Sequence, residues 1–588
     1  IVKKYFSEIL YLLGDEKNKL KFLLVLFLIV SVLDLLGLGL VAPYITFIVD
    51  PALIKDGALG IIIFKLGLPN DIATLSVIFG ALLFFIFLIK VVIIIYINYR
   101  IASFSQYQQV RLRSHLMSSY QNLPYTEYLQ RNSSEYIYSM QVLVEQFSNQ
   151  VVLTGLRTIG DSIVALAIFM LLAWTNWYAF SLLIVLLGLI IFCYDLFFRD
   201  KLKNYGIQTN LASKSILKGT SEGIDGLKEI RVLGKLEYFH NQVLKGAEKL
   251  AFNQTRFTVI TTSPRYLLEL LLVGFVVLVV IISVLTGQDS ATLLPVLGVF
   301  GLAAMRLMPI ATGLSNSLTR LRYGRDAVSI LYKDLLNLDK NKFIPEKIKI
   351  LNSEKFISLT LNQVNFSYPS TDRLALDKVS LSIKAGESIG IIGASGSGKT
   401  TLIDVLLGLL KPDNGLISFN SSPLEEKLSH WRSQAAYLPQ QVFLIDNTLK
   451  RNVALGVEEH NIDQKLLFEA IEKSQLLELL GQLPEGVDTL LGERGVRLSG
   501  GQRQRVALAR AFYHQRSVLV MDEATSALDN ETEHEIVEEI KRLKGLITTI
   551  IIAHRLTTVE HCDRIYLLEK GKLVSSGTAK EMLNISLD

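Results

Sequence analysis

The sequence predicts two parts of different fold class: a membrane all-α domain of six helices with long cytoplasmic helical extensions, and then an α/β domain. Half of the 588 residues are hydrophobic, and the mean hydropathy of +0.37 is too high for a wholly soluble protein of this length. Long apolar runs stop near Leu318, and from Phe356 onward short β-rich runs alternate with amphipathic helical patterns. The boundary between the two parts therefore falls between these residues.

Six apolar runs are each long enough to cross about 30 Å of hydrocarbon as a helix. They lie at Phe22 to Val49, Ile72 to Ala102, Val151 to Asn176, Ala179 to Phe198, Tyr266 to Leu285 and Leu293 to Leu318. These runs predict a transmembrane domain over residues 1–320 that contacts the lipid bilayer.

Basic residues set the orientation of this domain. The stretches Arg100 to Arg131 and Arg199 to Arg256 are long and rich in Lys and Arg, whereas the gaps on the other side carry few. The positive-inside rule puts both stretches and both termini in the cytoplasm. Apolar residues recur at helical spacing through Leu211 to Val243, which favours helical extensions ending in short connecting helices over unstructured loops.

Charge and cysteine content exclude some classes of protein. The net charge of +5 is spread along the chain instead of forming a basic tail, so we expect no nucleic-acid partner. Cys193 lies in an apolar run and Cys562 in a soluble segment, which argues against a disulfide between them. A charged segment over 321–352 is interpreted as a linker, and residues 353–588 as the second domain.

The first chemical motif of the second domain is a P-loop. The strand "ESIGIIG" runs into "GASGSGKT", Gly393 to Thr400, and then into a helical pattern. In this setting backbone N–H groups surround phosphates, Lys399 reaches the β/γ-phosphates and the Thr400 hydroxyl ligates Mg²⁺. The predicted ATP-binding residues here are Gly393, Ala394, Ser395, Gly396, Ser397, Gly398, Lys399, Thr400 and Thr401.

Two further motifs complete the predicted ATPase. The run "SVLVMDEATSALD" ends a buried strand at Asp522, which is placed to hold Mg²⁺, and Glu523, which is placed to activate water. "LSGGQRQRVALARAF" opens a helix at Ser499, Gly500, Gly501 and Gln502, whose N–H groups and dipole suit phosphate. One nucleotide needs only one such cradle, so two cradles predict that a second copy of the domain completes each site.

These motifs, together with "IIIAHR", resemble in order and spacing the nucleotide-binding domain of ABC transporters, from about Phe356 to the end of the chain. The resemblance implies an α/β P-loop ATPase domain of ABC type. It also implies roles for four residues: Tyr368 stacks on adenine, Gln440 joins Mg²⁺ to the membrane half, His554 touches the γ-phosphate, and Asp529 communicates between the two ATP sites.

The arrangement of the chain also resembles an exporter. Six spans precede the ATPase, and "GERG", Gly492 to Gly495, is similar to a loop that relays to the membrane domains in exporters. The resemblance implies a homodimeric half-transporter in a bacterial inner membrane, with the ATPase domain in the cytoplasm, using ATP and Mg²⁺. Exporters of drugs, lipids or peptides and, more remotely, an ATP-gated channel or channel regulator are the alternatives.

Three cations in the spans bear on the substrate. Lys90, Arg265 and Arg306 lie roughly 20–30 Å from the outer ends of their spans at about 1.5 Å per residue. Cations at one level suit a phosphate or pyrophosphate headgroup. The alternatives are that the side chains snorkel to the inner headgroups, or that Arg265 pairs with Glu269 one helical turn away.

The substrate class follows from a finer resemblance. "LDLLGLGLVAPYI", "SPRYLLEL" and "MRLMP" resemble bacterial flippases for oligosaccharides linked to undecaprenyl pyrophosphate. The substrate implied is a polyprenyl-pyrophosphate-linked glycan, or another anionic amphiphile, moved from the inner to the outer leaflet.

Overall fold

The computed structural model describes residues 2–15, 21–33, 72–175, 177–285, 290–340, 354–369, 371, 373–522, 538, 541–542, 544–553 and 556–585. The chain divides into two units. The first contains Ile1–Leu123 and Arg131–Lys342, and the second contains Pro124–Gln130 and Phe343–Asp588.

Helices occupy nearly all of the described residues before residue 341. In chain order they are α1 (Val2–Leu13), α2 (Lys21–Leu33), α3 (Ile72–Gln121), α4 (Tyr125–Tyr128), α5 (133–175), α6 (Trp177–Asp225), α7 (Leu227–Val232), α8 (Leu236–Leu285), α9 (Ser290–Tyr323) and α10 (Arg325–Lys340). Two π-helical stretches, Ser139–Leu143 and Phe147–Leu153, interrupt the first half of α5.

Four described helices are long and apolar enough to cross a membrane. These segments are Gly80–Gln121, Ser133–Trp174, Phe180–Asp225 and Leu236–Ile281. Helices α3, α6 and α8 contain 50, 49 and 50 residues, which is about 75 Å of helix against about 30 Å of hydrocarbon. More than half of each helix therefore extends beyond the hydrocarbon. The full count of six spans remains a prediction, because the first predicted span continues past α2 into residues outside the described part.

A hydrophobic cluster holds α1 against α10 in the first unit. Leu12 and Leu331 are buried in this cluster. The Tyr11 hydroxyl donates to the Asp339 carboxylate of α10 (2.5 Å), and the Tyr5 hydroxyl donates to the Leu321 carbonyl at the end of α9 (2.9 Å). Much of the segment predicted as a linker is thus the ordered helix α10, packed within the first unit.

The second unit is an α/β domain with two sheets. Its strands are β1 (Ser358–Ser367), β2 (Leu374–Lys384), β3 (Ser388–Ile392), β4 (Asn414–Phe419), β5 (Ser422–Pro423), β6 (Ala435–Leu438), β7 (Val518–Asp522), β8 (Thr548–Ile552), β9 (Arg564–Glu569) and β10 (Lys572–Gly577). Its helices are α11 (Lys399–Leu406), α12 (Leu428–Gln434), α13 (Leu449–Val453), α14 (Gln464–Lys473), α15 (Leu477–Gln482), α16 (Gly500–Tyr513), α17 (Leu556–Val559) and α18 (Ala579–Ile585).

The larger sheet determines where the functional loops lie. Its strand order is β10-β9-β3-β8-β7-β6, and β3, β8, β7 and β6 pair in parallel. The strands β3, β7 and β8 are almost wholly buried and mostly apolar, as expected for a parallel sheet covered on both faces. Because parallel strands end at the same edge, the segments that follow these four strands emerge side by side.

Three aromatic rings pack together in the core of this unit. Trp431 is fully buried, its ring lies 5.6 Å from that of Phe356 and 6.0 Å from that of Phe419, and its indole N–H donates to the Leu406 carbonyl at 2.8 Å. Leu406 ends α11, the helix that begins at the P-loop. The core therefore holds the far end of that helix.

The second unit also includes a short segment from the predicted first cytoplasmic loop. Helix α4 lies within Pro124–Gln130, and its Tyr125 packs on the hydrophobic core of this unit. Burial, followed by the charge of Asp404, raises the pKa of Tyr125. A short connecting helix is thus present where the sequence predicts one.

Candidate nucleotide-binding site

The P-loop has the backbone geometry that its glycines allow. Gly398 has a φ of +106°, and a Cβ there would lie 2.6 Å from the Ala375 carbonyl oxygen. A side chain at this position would meet both a strained backbone and a steric clash. Gly398 directly precedes α11, so the loop turns at this residue and presents the first N–H groups of the helix.

Lys399 is held inside the loop. Its side chain is only 6% exposed, and its ammonium donates to the carbonyls of Gly393 (2.9 Å) and Ala394 (3.0 Å). Ser397 is also buried, and its hydroxyl has no hydrogen-bond partner within the described residues. A buried hydroxyl without a partner is costly unless a ligand supplies one, so this loop fits a phosphate group.

Tyr368 lies next to the P-loop helix, at the place where the sequence predicts an adenine platform. Its hydroxyl is 3.2 Å from the Thr401 hydroxyl, and its ring packs edge-on against Phe366 at 5.1 Å. Thr401 follows the predicted Mg²⁺ ligand Thr400 in α11. The hydrogen bond thus fixes the aromatic ring relative to the phosphate loop, and its contact with adenine remains a prediction.

Asp522 ends β7 at the same sheet edge as the P-loop. The carboxylate is buried, and the Tyr437 hydroxyl donates to it at 3.3 Å from the neighbouring strand β6. A second carboxylate lies near it on α11: burial, followed by the charge of Asp522, raises the pKa of Asp404 to about 6. This concentration of negative charge fits a divalent cation.

Gln440 follows β6 by two residues and therefore emerges at the edge where Asp522 ends β7. Its side chain is exposed. The paired strands β6 and β7 therefore bring Gln440 and Asp522 to one edge of the sheet. Together with Thr400, these two residues are the predicted Mg²⁺ ligands.

The "LSGGQ" segment is a second, separately capped helix start. The Ser499 hydroxyl accepts from the Gln502 N–H (3.2 Å), and the Gln502 side chain accepts from the Ser499 N–H (2.8 Å). This reciprocal capping box fixes the first turn of α16, where Gly500 and Gly501 add no side chains. Ser499 is exposed, so the helix start faces outward from its own domain.

Two residues that sequence reasoning missed organise the loop after Gln440. Asn452 is fully buried and hydrogen-bonds both to the N–H (2.9 Å) and to the carbonyl (3.0 Å) of Ile445. Arg510, on α16, donates to the carbonyls of Asn452 and Phe443, both at 3.0 Å. The guanidinium thereby ties the loop after Gln440 to the helix that Ser499 begins. No sequence motif indicates these hydrogen bonds, because they depend on which carbonyls the fold brings near Arg510.

Several predicted site residues lie outside the described part of the chain. These are Glu523, Asp529, His554 and the side chain of Arg306. Their predicted roles stay predictions, although β7 and β8, which precede Glu523 and His554, end at the P-loop edge.

The described membrane cations differ from each other. Lys90 is only 5% exposed, and its ammonium lies 5.0 Å from the centre of the Phe87 ring. Arg265 pairs with Glu269 at 3.1 Å, and both side chains are substantially exposed. Arg265 therefore makes the local ion pair that the sequence offered as its alternative role, and a cavity lined by all three cations is not among the described features.

Taken together, the two units define a class of protein: a membrane protein of several helical spans joined to a P-loop ATPase domain. A family profile described as ABC transporter matches residues 376–526. An ATP-dependent lipid A-core flippase of Ralstonia nicotianae is 31% identical over 447 residues, covering 74% of each chain. A protein of the same name from Polaromonas sp. is 39% identical over 306 residues, so the chain matches about half (51%) of that relative's length and 52% of its own.

A solved structure shows the same fold over almost the whole length. It is described as a bacterial Atm1-family ABC exporter with ATP bound, and it matches with a TM-score of 0.76, at 21% identity, over 96% of each chain. The chain belongs to the ABC transporters.

Proposed function

We propose that two copies of this chain form an ATP-driven flippase for an anionic, lipid-linked amphiphile in a bacterial inner membrane. The observation that carries the ATP-driven part is the shared sheet edge, where the P-loop with buried Lys399 emerges beside Asp522 and Tyr437. The names of the relatives, ATP-dependent lipid A-core flippases, support a lipid-like substrate.

The ATP site is completed by the second copy. Gly393 to Thr401 of one chain hold the phosphates from one side, and Ser499 to Gln502 of the other approach from the opposite side. Support for this comes from the exposed, self-capped helix start at Ser499, which has the N–H groups for a phosphate but belongs to a domain that already has one phosphate loop. Asp529 transmits the state of one site to the other.

The chemistry at this site is hydrolysis of the γ-phosphate. Bound Mg²⁺, held by Thr400, Gln440 and Asp522, would neutralise charge on the phosphates. Glu523 takes the proton of the attacking water, His554 donates to the γ-phosphate, and Tyr368 holds the base. Closure of the two domains opens the membrane half outward, and hydrolysis resets it.

The preferred substrate is a polyprenyl-pyrophosphate-linked oligosaccharide, and the second candidate is a lipid A-core glycolipid, as in the names of the relatives. Both combine phosphate groups with long hydrocarbon chains. Lys90, which is buried in α3, is the cation best supported for binding such a headgroup, because an ammonium is retained in an apolar span only at a cost. Arg265 and Arg306 complete the proposed set.

The test uses the full chain reconstituted in liposomes containing either lipid. ATPase rate and the protection of labelled lipid from an external quencher are measured together. We expect one of the two lipids to stimulate ATPase and to be translocated, Lys90→Ala to lower that stimulation, and Lys90→Arg to retain it. Failure of both lipids to stimulate, with a triple alanine variant of Lys90, Arg265 and Arg306 behaving as wild type, would overturn the substrate assignment.

A further inference from the structure

A cavity of about 560 Å³ lies within the first unit, between α5, α6, α8 and α9. This is within the usual size range of ligand pockets. Its walls are mostly apolar side chains, and polar groups gather toward one end, where Asp195 of α6 forms an ion pair with Arg322 of α9. The cavity therefore has the two-part character of an amphiphile: an apolar body and a charged end.

The predicted span ends put the charged end of the cavity at the level of the inner headgroups. Asp195 comes just before Phe198, the predicted cytoplasmic end of span four, and Arg322 comes just after Leu318, the predicted end of span six. The apolar walls extend from there into the span regions. The apolar walls offer water few hydrogen-bond partners, and lipid chains are the apolar molecules at hand.

A proline fixes the shape of one wall. Pro264 has no N–H, so the carbonyl of Ile260 loses its partner in α8, and the Tyr194 hydroxyl donates to that carbonyl instead. The Thr319 hydroxyl likewise donates to the Ser315 carbonyl within α9 (3.0 Å). These two hydroxyls are engaged within the protein, which leaves the ion pair to meet a headgroup.

Both members of the ion pair remain accessible. The Arg322 side chain is 31% exposed and the Asp195 side chain is 34% exposed. A guanidinium beside a carboxylate is complementary to a headgroup that carries a phosphate and an ammonium. Arg322 offers paired N–H donors to the phosphate, and Asp195 accepts from an ammonium that still has its protons.

We infer that this cavity binds one zwitterionic phospholipid of the inner leaflet, of the phosphoethanolamine class, with a chain in the apolar part and its headgroup on Arg322 and Asp195. A choline headgroup offers no N–H to Asp195, and a glycerol headgroup offers no cation. Lipid retention tests this site independently of transport and of ATP binding.

The experiment measures lipid retained by the purified full-length protein after delipidation and addition of dioleoyl lipids that differ only in headgroup, using native mass spectrometry. We expect phosphatidylethanolamine to be retained at a concentration about tenfold lower than phosphatidylcholine or phosphatidylglycerol. Arg322→Gln lowers its retention about tenfold, and Asp195→Asn removes the preference over phosphatidylcholine.

Two glycines supply a matched pair of variants. A Cβ at Gly188 or at Gly274 meets no atom within 4 Å, and only Gly188 lines the cavity. Gly188→Leu is expected to abolish retention, while Gly274→Leu leaves it unchanged, and helix content by circular dichroism checks that both variants fold. Equal retention of all three lipids, retention unaffected by Gly188→Leu, or no bound lipid in an intact dimer would each overturn the inference.

Discussion

The Tyr437 hydroxyl donates a hydrogen bond to the Asp522 carboxylate, with 3.3 Å between the two oxygens. The bond joins two adjacent parallel strands, β6 and β7, at the edge where the P-loop also emerges. Asp522 is therefore held by a neighbour before any cation arrives, and Tyr437 acts as a positioning residue for the predicted Mg²⁺ ligand. Burial, followed by the charge of Asp522, raises the pKa of Tyr437, so the phenol keeps the proton that it donates.

Replacing Tyr437 with Phe removes this donor and keeps the ring. We expect the Mg²⁺ concentration that gives half-maximal ATPase activity to rise roughly tenfold, because partners that orient a metal-binding carboxylate typically matter by that much. Binding of ATP in the presence of a chelator serves as the control, since it does not involve Asp522. An unchanged Mg²⁺ dependence would show that the carboxylate needs no such support.

Sequence patterns predicted the parts of this protein that depend on local chemistry. The P-loop, Asp522 and the Ser499 helix start each combine a strand or helix terminus with particular residue types, so neighbouring residues contain the information. The long helices α3, α6 and α8 likewise follow from apolar runs that continue into helical polar segments.

Other features depend on contacts between distant segments. Tyr437 and Asp522 are 85 residues apart, and Arg510 is 58 residues from the Asn452 carbonyl that it binds. The cavity at Arg322 and Asp195 similarly requires α6 and α9 to be placed together. Spacing in one sequence contains no signal for such distant pairs. The Arg265–Glu269 pair is different, because it lies one helical turn apart and the spacing offers it as an alternative.

Trp431 provides a test of the ATPase core. Trp431→Ala removes a fully buried ring and leaves the Leu406 carbonyl without its donor, so we expect the free energy of unfolding of the ATPase domain to fall by about 3–5 kcal/mol. Phe443→Ala is the matched control, because that ring is 65% exposed and its loss is expected to cost less than about 0.5 kcal/mol. Scanning calorimetry of the full chain measures the unfolding of both variants. Equal transition temperatures for the two variants would contradict the role assigned to Trp431.

His514 predicts how the stability of the ATPase domain depends on pH. Burial, followed by the charge of Arg516, lowers the pKa of His514. The unfolded chain therefore binds a proton at His514 more readily than the folded chain does. The contribution of neutral His514 to the free energy of unfolding is complete above the ordinary histidine pKa of about 6.5, and it is lost as pH falls through the pKa of the folded state.

We expect His514→Gln to flatten the fall in melting temperature between about pH 7 and pH 5. Burial also lowers the pKa of His561, so the double variant of both histidines should be flatter still. A pH profile of the variant parallel to that of the wild type would show that His514 is protonated equally in both states.

The sharing of each ATP site between two copies predicts a crossover in mixed dimers. Lys399→Ala disables the P-loop, and Ser499→Arg blocks the exposed helix start that its capping box forms. If Ser499 serves the partner's nucleotide, a dimer of one Lys399→Ala chain and one Ser499→Arg chain keeps one intact site. A dimer of wild type with a chain carrying both substitutions then keeps none.

Tandem affinity tags isolate each mixed dimer, and single-turnover hydrolysis counts the competent sites. A site built within one chain gives the reverse result in both mixtures. Activity found only in the dimer of wild type with the doubly substituted chain would therefore contradict a shared site.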